Sequence, residues 1–324
     1  MSPLRHLPIL LAGLLLATAC AGTDSRELSP YDDDGDGTSV GDQQEQTTDG
    51  ETGDGDGQDP GGDGEENPGD GEEGPGDREE GPGDGETQPR CTISPDGTIT
   101  ASEIPIGPGL SAPFRVALDA PVNTVGTLID GVRTWDLAVD LPGDEDLLIE
   151  TIDPSGEWFA DDFPEATYAT TLSASTDLLG VFQITDDALL LLGIVSPEDS
   201  GTFSRTRLTY DTPIKILSLP LQREATWSTE SIVSGSAAGI STAYRETYTT
   251  EVDRQGQLQT PYGTFPVLRV RTLMDRSSLG VPLASSRTFA FVSPCFGTVA
   301  TIVSKDGESQ IEFETASEVR RLTP

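Results

Sequence analysis

Ile240-Ser241-Thr242-Ala243-Tyr244-Arg245-Glu246-Thr247-Tyr248-Thr249-Thr250-Glu251-Val252 is the stretch that decides the fold. Every second residue, from Ile240 through Thr242, Tyr244, Glu246, Tyr248 and Thr250 to Val252, shares one face. β-Branched and aromatic residues on a period of two mark a strand with one buried face. The same period recurs elsewhere. Trp135, Leu137, Val139 and Leu141 alternate with Asp136, Ala138 and Asp140, and Leu268, Val270, Thr272 and Met274 alternate with Arg269, Arg271 and Asp275. Phe289 and Phe291 continue the pattern, as do Val299, Thr301 and Val303, then Ile311 and Phe313. Residues 188–195 are apolar on both faces and read as a buried central strand. No comparable stretch carries a period of 3.6.

Turn residues punctuate these runs. Asp96-Gly97, Asp130-Gly131 and Asp306-Gly307 suit tight hairpins, because aspartate and glycine tolerate positive φ. Thr260-Pro261-Tyr262-Gly263 fits a type I turn. The fold expected is all-β: an antiparallel meander of about a dozen strands, forming a sandwich or a curved half-barrel.

Upstream the composition is different. The chain carries 56 acidic and 19 basic side chains, and 24 of the acids lie in residues 21–90 against three arginines. From Asp32 to Arg90 the sole aliphatic or aromatic residue is Val40. Such a stretch has no apolar surface to offset the entropy of ordering, so it reads as a disordered acidic tether spanning residues 20–90. A heptad recurs from Pro68, Pro75 and Pro82, but it lacks the apolar positions of a coiled coil. The β-domain is expected over 91–324.

Residues 1–19 read as an export signal. Arg5 and His6 precede an apolar run of 13 residues, 7–19, which is shorter than the ~20 needed to span a bilayer. The run ends Leu16-Ala17-Thr18-Ala19-Cys20, which resembles the lipobox of bacterial lipoproteins. That resemblance implies cleavage before Cys20, acylation of its thiol, and a bilayer as partner. The match departs from the usual pattern, which has leucine where Ala17 stands. Ala21 follows instead of aspartate, which points to the outer membrane or cell surface. The alternative is an ordinary secretory signal cut after Ala19.

Two cysteines remain, Cys91 and Cys295, and in an exported chain they read as a disulfide; two free thiols are the alternative. The segments Ser218-Leu219-Pro220-Leu221, Gly256 to Phe265 and Phe289 to Val299 resemble a module of secreted bacterial lipoproteins. The resemblance implies a curved antiparallel sheet of the lipoprotein-carrier half-barrel type and transfers no catalytic residue. Its pattern has glycine at the position of Cys295.

Most chemistry lacks its residues. The single histidine, His6, lies in the signal, so the mature chain has no Ser-His-Asp triad and no imidazole metal site. The lysines are Lys215 and Lys305, and Ser304-Lys305 reads as a turn instead of a catalytic dyad. Asp161-Asp162 beside Trp158 and Phe159 is the best local candidate for a sugar-hydrolysing carboxylate pair, against the plainer reading of an acidic loop. Asp32, Asp34 and Asp36, with Gly37, have the start of a calcium loop, but Gln43 stands where the bidentate glutamate belongs. Weak calcium binding is the one cofactor reading this supports. No basic stretch offers nucleic acid a footing. Two functions follow: a non-enzymatic envelope or surface lipoprotein with a partner-binding or structural β-domain, and a carrier or sensor holding a lipid or other apolar ligand in a concave sheet.

Overall fold

The computed structural model describes residues 91–93, 96–199, 201 and 205–324. Fourteen strands run through them: β1 (Ser111–Leu118), β2 (Thr127–Ile129), β3 (Val132–Asp136), β4 (Glu145–Ile152), β5 (Tyr168–Ser173), β6 (Thr176–Ile184), β7 (Ala188–Val195), β8 (Arg207–Ser218), β9 (Thr226–Ala237), β10 (Ile240–Gln259), β11 (Thr264–Ser278), β12 (Val281–Ser293), β13 (Gly297–Ser304) and β14 (Ala316–Leu322). Among the described residues there is no α-helix, only three 3-10 turns.

From β4 to β14 each strand pairs antiparallel with the next. β14 returns to pair with β1, from Phe114↔Leu322 to Leu118↔Glu318, and β1 pairs with β4. The result is a closed barrel of twelve strands, with the β2–β3 hairpin attached outside it. The half-barrel and the sandwich are therefore both corrected. A half-barrel would leave two open edges of unpaired N–H and C=O groups. The pairing of β14 with β1 removes them.

The long alternating run lies inside β10, and its faces divide as the pattern requires: Tyr244, Glu246, Tyr248, Thr250 and Val252 are buried. β7 is the expected buried strand. Two alternating runs are not strands along their length. Residues 137–141 leave the sheet after Asp136, whose carboxylate caps Ala138 N at 3.1 Å. Ile311 and Phe313 lie in the 305–315 connection, where Phe313 is buried without pairing in a strand. Asp130-Gly131 is a tight turn with positive φ at both residues, 48° and 83°. The other two Asp-Gly pairs do not join strands as tight hairpins. Thr260 and Gly263 close their turn by paired backbone bonds of 3.0 and 2.8 Å.

Apolar side chains collect in three places. The barrel interior holds Tyr168, Phe182, Leu191, Ile214, Val233, Tyr248 and Val270 among others. A second cluster lies where residues 119–144, carrying fully buried Trp135, cover Phe289, Phe291, Ile302 and Val319. A third forms where Phe159 and Phe163 cover Ala169, Val181 and Val195. Arg269, which the sequence pattern sets opposite the apolar residues of β11, is wholly buried in the second region. It binds Asp253 through Nε at 2.9 Å and Nη2 at 2.6 Å, reaches Glu312 at 2.8 Å, and stacks on Phe289 at 4.1 Å. A β-bulge between Val252 and Arg254 inserts Asp253 as the unpaired extra residue of β10. Gly256 allows the β2–β3 hairpin to dock, since a Cβ there would stand 2.1 Å from Arg133 O.

The segment before β1 is a strap at one end of the barrel. Ile99 and Ile104 join the interior cluster, and Ile99 bridges Leu221. Cys91 and Cys295 form the expected disulfide, with Cα atoms 5.6 Å apart. Cys295 N also donates to Glu103 O at 2.6 Å. Cys295 has φ of 66°, the left-handed region that favours glycine.

Candidate functional site

Two seams of the barrel are thinly paired. β8 meets β9 in the ladder only from Arg207 to Tyr210. Side chains close that seam instead: Asp211 accepts from Ser231 Oγ and Ile232 N, each at 2.8 Å, and Trp227 Nε1 donates to Lys215 O at 2.8 Å. β4 meets β5 only at Thr151↔Thr170 and Ile152↔Ala169. There Thr170 Oγ1 donates to Glu150 O at 2.7 Å, and the strands then part.

Behind the β4–β5 seam lies a cavity of about 320 Å³. Its wall is mostly apolar: Phe114 of β1, Ile149 of β4, Tyr168 and Leu172 of β5, Phe182 of β6 and Leu189 of β7. Ile106 and Leu110 of the strap and Phe296 beside the disulfide form its rim. Tyr168 stacks on Phe182 with centroids 5.0 Å apart, and burial pushes its phenol far above the ordinary range, so it stays neutral. Its polar lining comprises Ser111 of β1, Thr151 of β4, Thr170 and Thr171 of β5, Thr298 and Thr301 of β13 and Arg320 of β14, with Thr301 and Arg320 register partners. A few polar groups set in an apolar concavity of this size are the usual make-up of a small-ligand site.

Deeper in the interior, toward the β11–β12 tip, a polar cluster is closed on itself. Glu246 is fully buried and binds Arg276 Nε at 2.9 Å and Nη2 at 2.6 Å. Its other oxygen accepts from Tyr210 and Tyr248 at 2.9 and 3.0 Å, and Arg276 lies 4.1 Å over the Tyr244 ring. This cluster fills barrel volume. A larger groove of about 920 Å³ runs between the strap, the β2–β3 hairpin and the β10–β11 end. Its arginines are engaged within the protein: Arg254 with Glu312 at 3.0 Å, Arg223 with Glu224 at 3.1 Å, Arg133 with Gly126 O at 3.2 Å. The interior cavity is the better candidate.

The sequence-level candidates fall elsewhere. Cys20 and the possible calcium ligands Asp32, Asp34 and Asp36 lie outside the described residues. Asp162 is held by Arg207 at 2.8 and 2.9 Å, and Phe159 is buried beneath the loop. Trp158 Nε1 donates to Ser196 O at 3.1 Å, so the aromatic pair packs instead of flanking a carboxylate cleft. Ser304 Oγ donates to Lys305 O at 2.8 Å while Lys305 Nζ pairs with Asp119 at 2.9 Å, which is not dyad geometry. Among the described residues no group of three or more His, Cys, Asp or Glu could hold a metal ion. No helix among them is long and apolar enough to cross a membrane.

Arg320 was missed by sequence reasoning, and Thr301 was read only as one more residue of an alternating strand. The available signal was Glu318-Val319-Arg320-Arg321, a run of charges in the last strand whose every residue is buried.

No protein-family model matches the chain, and no curated protein matches it. Among solved structures, one described as a "putative lipoprotein" from Parabacteroides distasonis is similar over 67% of this chain and 95% of its own. The identity is 12% and the TM-score 0.30, a likeness too slight to carry an argument.

Proposed function

We propose that this chain is an exported, lipid-anchored envelope protein without enzymatic activity, whose barrel holds an apolar ligand as a carrier or sensor. The observation that carries the reading is the cavity behind the β4–β5 seam, a mostly apolar space of about 320 Å³. The anchoring half of the proposal rests on the small residues that end at Cys20, and it makes the bilayer both the place of attachment and the source of ligand. The acidic stretch 20–90 would then hold the barrel off the surface.

The test is to purify the full chain from membranes of its expression host, extract it with organic solvent, and identify what is released by mass spectrometry. An amphiphile present in near-equal amount to the protein is the expected result. A chain that releases nothing, and takes up no lipid offered to it, would favour a structural or partner-binding role.

A further inference from the structure

The β11–β12 hairpin carries an apolar tip at the end of the barrel remote from the disulfide. Leu279 is 101% exposed, and Val281, Pro282 and Leu283 beside it are exposed as well. Leu279 and Gly280 form the two-residue turn, with φ of 51° and 79°. Such a turn favours Asn-Gly or Asp-Gly, and a leucine at positive φ is strained. The β2–β3 turn of the same hand has Asp130 before Gly131. Ala238 holds the equivalent position between β9 and β10, but that turn is tied to the barrel: Ala238 N donates to Thr206 Oγ1 at 3.1 Å and Gly239 N to Arg205 O at 3.2 Å. Leu279 packs on nothing, so the fold does not account for an apolar side chain at a strained, solvent-facing position. Strain of this kind points to a role outside the fold.

The charges around the tip narrow the partner. From Arg276 to Lys305 the chain has no Asp or Glu, although it carries 56 of them in all. Arg276 faces inward onto Glu246. The outward charges nearest the turn are Arg245 of β10, level with Ser277 and paired with Glu230, and Asp275, level with Ser285. At ~3.4 Å per residue these stand ~7 and ~13 Å behind Leu279. The depth free of charge thus matches the ~5–10 Å to which apolar elements sink at the boundary of headgroups and acyl chains. A protein partner or a second copy would ask for about 800 Å² from each side, more than a tip of four side chains supplies. A bilayer sets no such minimum, since apolar area is stabilised simply by leaving water. Chain length does not keep this end from the membrane. Residues 21–90 can extend to ~230 Å, against ~65 Å for the 20 residues of β10, the longest strand.

Resting on the anchored reading above, we infer that the β11–β12 tip is a bilayer contact, with Leu279, Val281 and Leu283 entering the headgroup–acyl boundary of an uncharged leaflet. The experiment reconstitutes the purified full chain in phosphatidylcholine vesicles with brominated acyl chains and follows tryptophan emission, after flotation to establish that the chain is on the vesicles. Leu279→Trp should add emission that brominated lipid lowers at least twofold relative to ordinary phosphatidylcholine. Asp130→Trp, in the other exposed turn of this geometry, should add emission that the bromines leave unchanged. A chain that floats with the vesicles while its Leu279→Trp emission is unquenched overturns the inference and leaves the anchor standing. Equal quenching in both variants overturns it too, since the chain then merely lies near lipid. Unquenched, blue-shifted Leu279→Trp emission from a chain of doubled mass would give the tip to a second copy instead. A chain that does not float loses the anchored reading and this inference with it.

Discussion

Inside the barrel, Glu246 organises more of the buried polar chemistry than any neighbour, holding Arg276 and two phenols. Burial raises the Tyr210 and Tyr248 phenols well above their ordinary value of 10.0, and the Glu246 charge adds to the shift. Burial alone does the same for Tyr168. A phenol whose folded pKa is raised contributes stability fully present below the unfolded value and lost as pH rises past it. Above pH 10.0 the unfolded chain releases protons that the folded chain keeps. Stability should therefore fall above that pH by about 1.4 kcal/mol per pH unit for each such tyrosine. Urea titrations between neutral pH and strongly alkaline pH would measure it, with phenolate absorbance reporting ionisation. Phenolate appearing before unfolding, for as many tyrosines as the chain holds, would contradict the buried cluster. Glu246 was legible in the sequence as a member of the inward face of its strand. Tyr248 shares that face, but Arg276 was not legible as a partner, because it lies beyond the alternating run of β11.

At the scale of elements, the strap and its crosslink show what a disulfide does here. Cys91 and Cys295 are 204 residues apart in sequence, and their bond ties the strap to the β12–β13 turn beside Phe296 at the cavity rim. Removing it should cost about 2–5 kcal/mol, the range for native disulfides in secreted domains. A thermal melt of the full chain with and without reductant, with thiols counted under denaturing conditions, checks this; an unchanged midpoint after complete reduction would refute it. The pair was legible because the chain offered no other partners once Cys20 was set aside. The closing strand was not. β14 reads Ala-Ser-Glu-Val-Arg-Arg-Leu, with Glu318 and Arg320 buried on one side and Arg321 buried on the other, where it binds Asp144 at 2.5 Å. Charges that find partners only through the fold erase the period-two signal, and with it the evidence that the barrel closes. Residues 137–141 failed in the opposite sense. Their alternation was real, but Leu137 packs into the outer cluster from a loop.

At the scale of the whole molecule, β9 and β10 show a mostly polar outer face over an apolar inner one. The outward positions of β9 and β10 carry Thr226, Ser228, Glu230, Arg245 and Thr249, while the inward ones carry Val233, Tyr244, Tyr248 and Val252. A spanning barrel has the reverse arrangement, apolar outside and polar within. Glu230 and Arg245 pair across that outer surface. With 56 acidic side chains against 19 basic ones, the chain as a whole is repelled by anionic surfaces, so the proposed attachment to a bilayer would need an anchor. The all-β class and strands β10 to β13 were readable from alternation. The cavity was not, because it depends on where two strands stop pairing, a property of register and not of composition.

On the proposed function, an apolar ligand sits in the space behind the β4–β5 seam. Ala112 lines that space from β1 and is only partly buried, so Ala112→Phe would fill it without touching Thr301 or Arg320. The direct measurement is a fluorescence titration of the full chain and of this variant with N-phenylnaphthylamine, alongside a thermal melt of each. The natural chain should show saturable single-site binding and the variant at least a tenfold loss, with its melting temperature unchanged or raised. A variant that melts as the natural chain does and binds the dye equally well would place the site elsewhere and contradict the account.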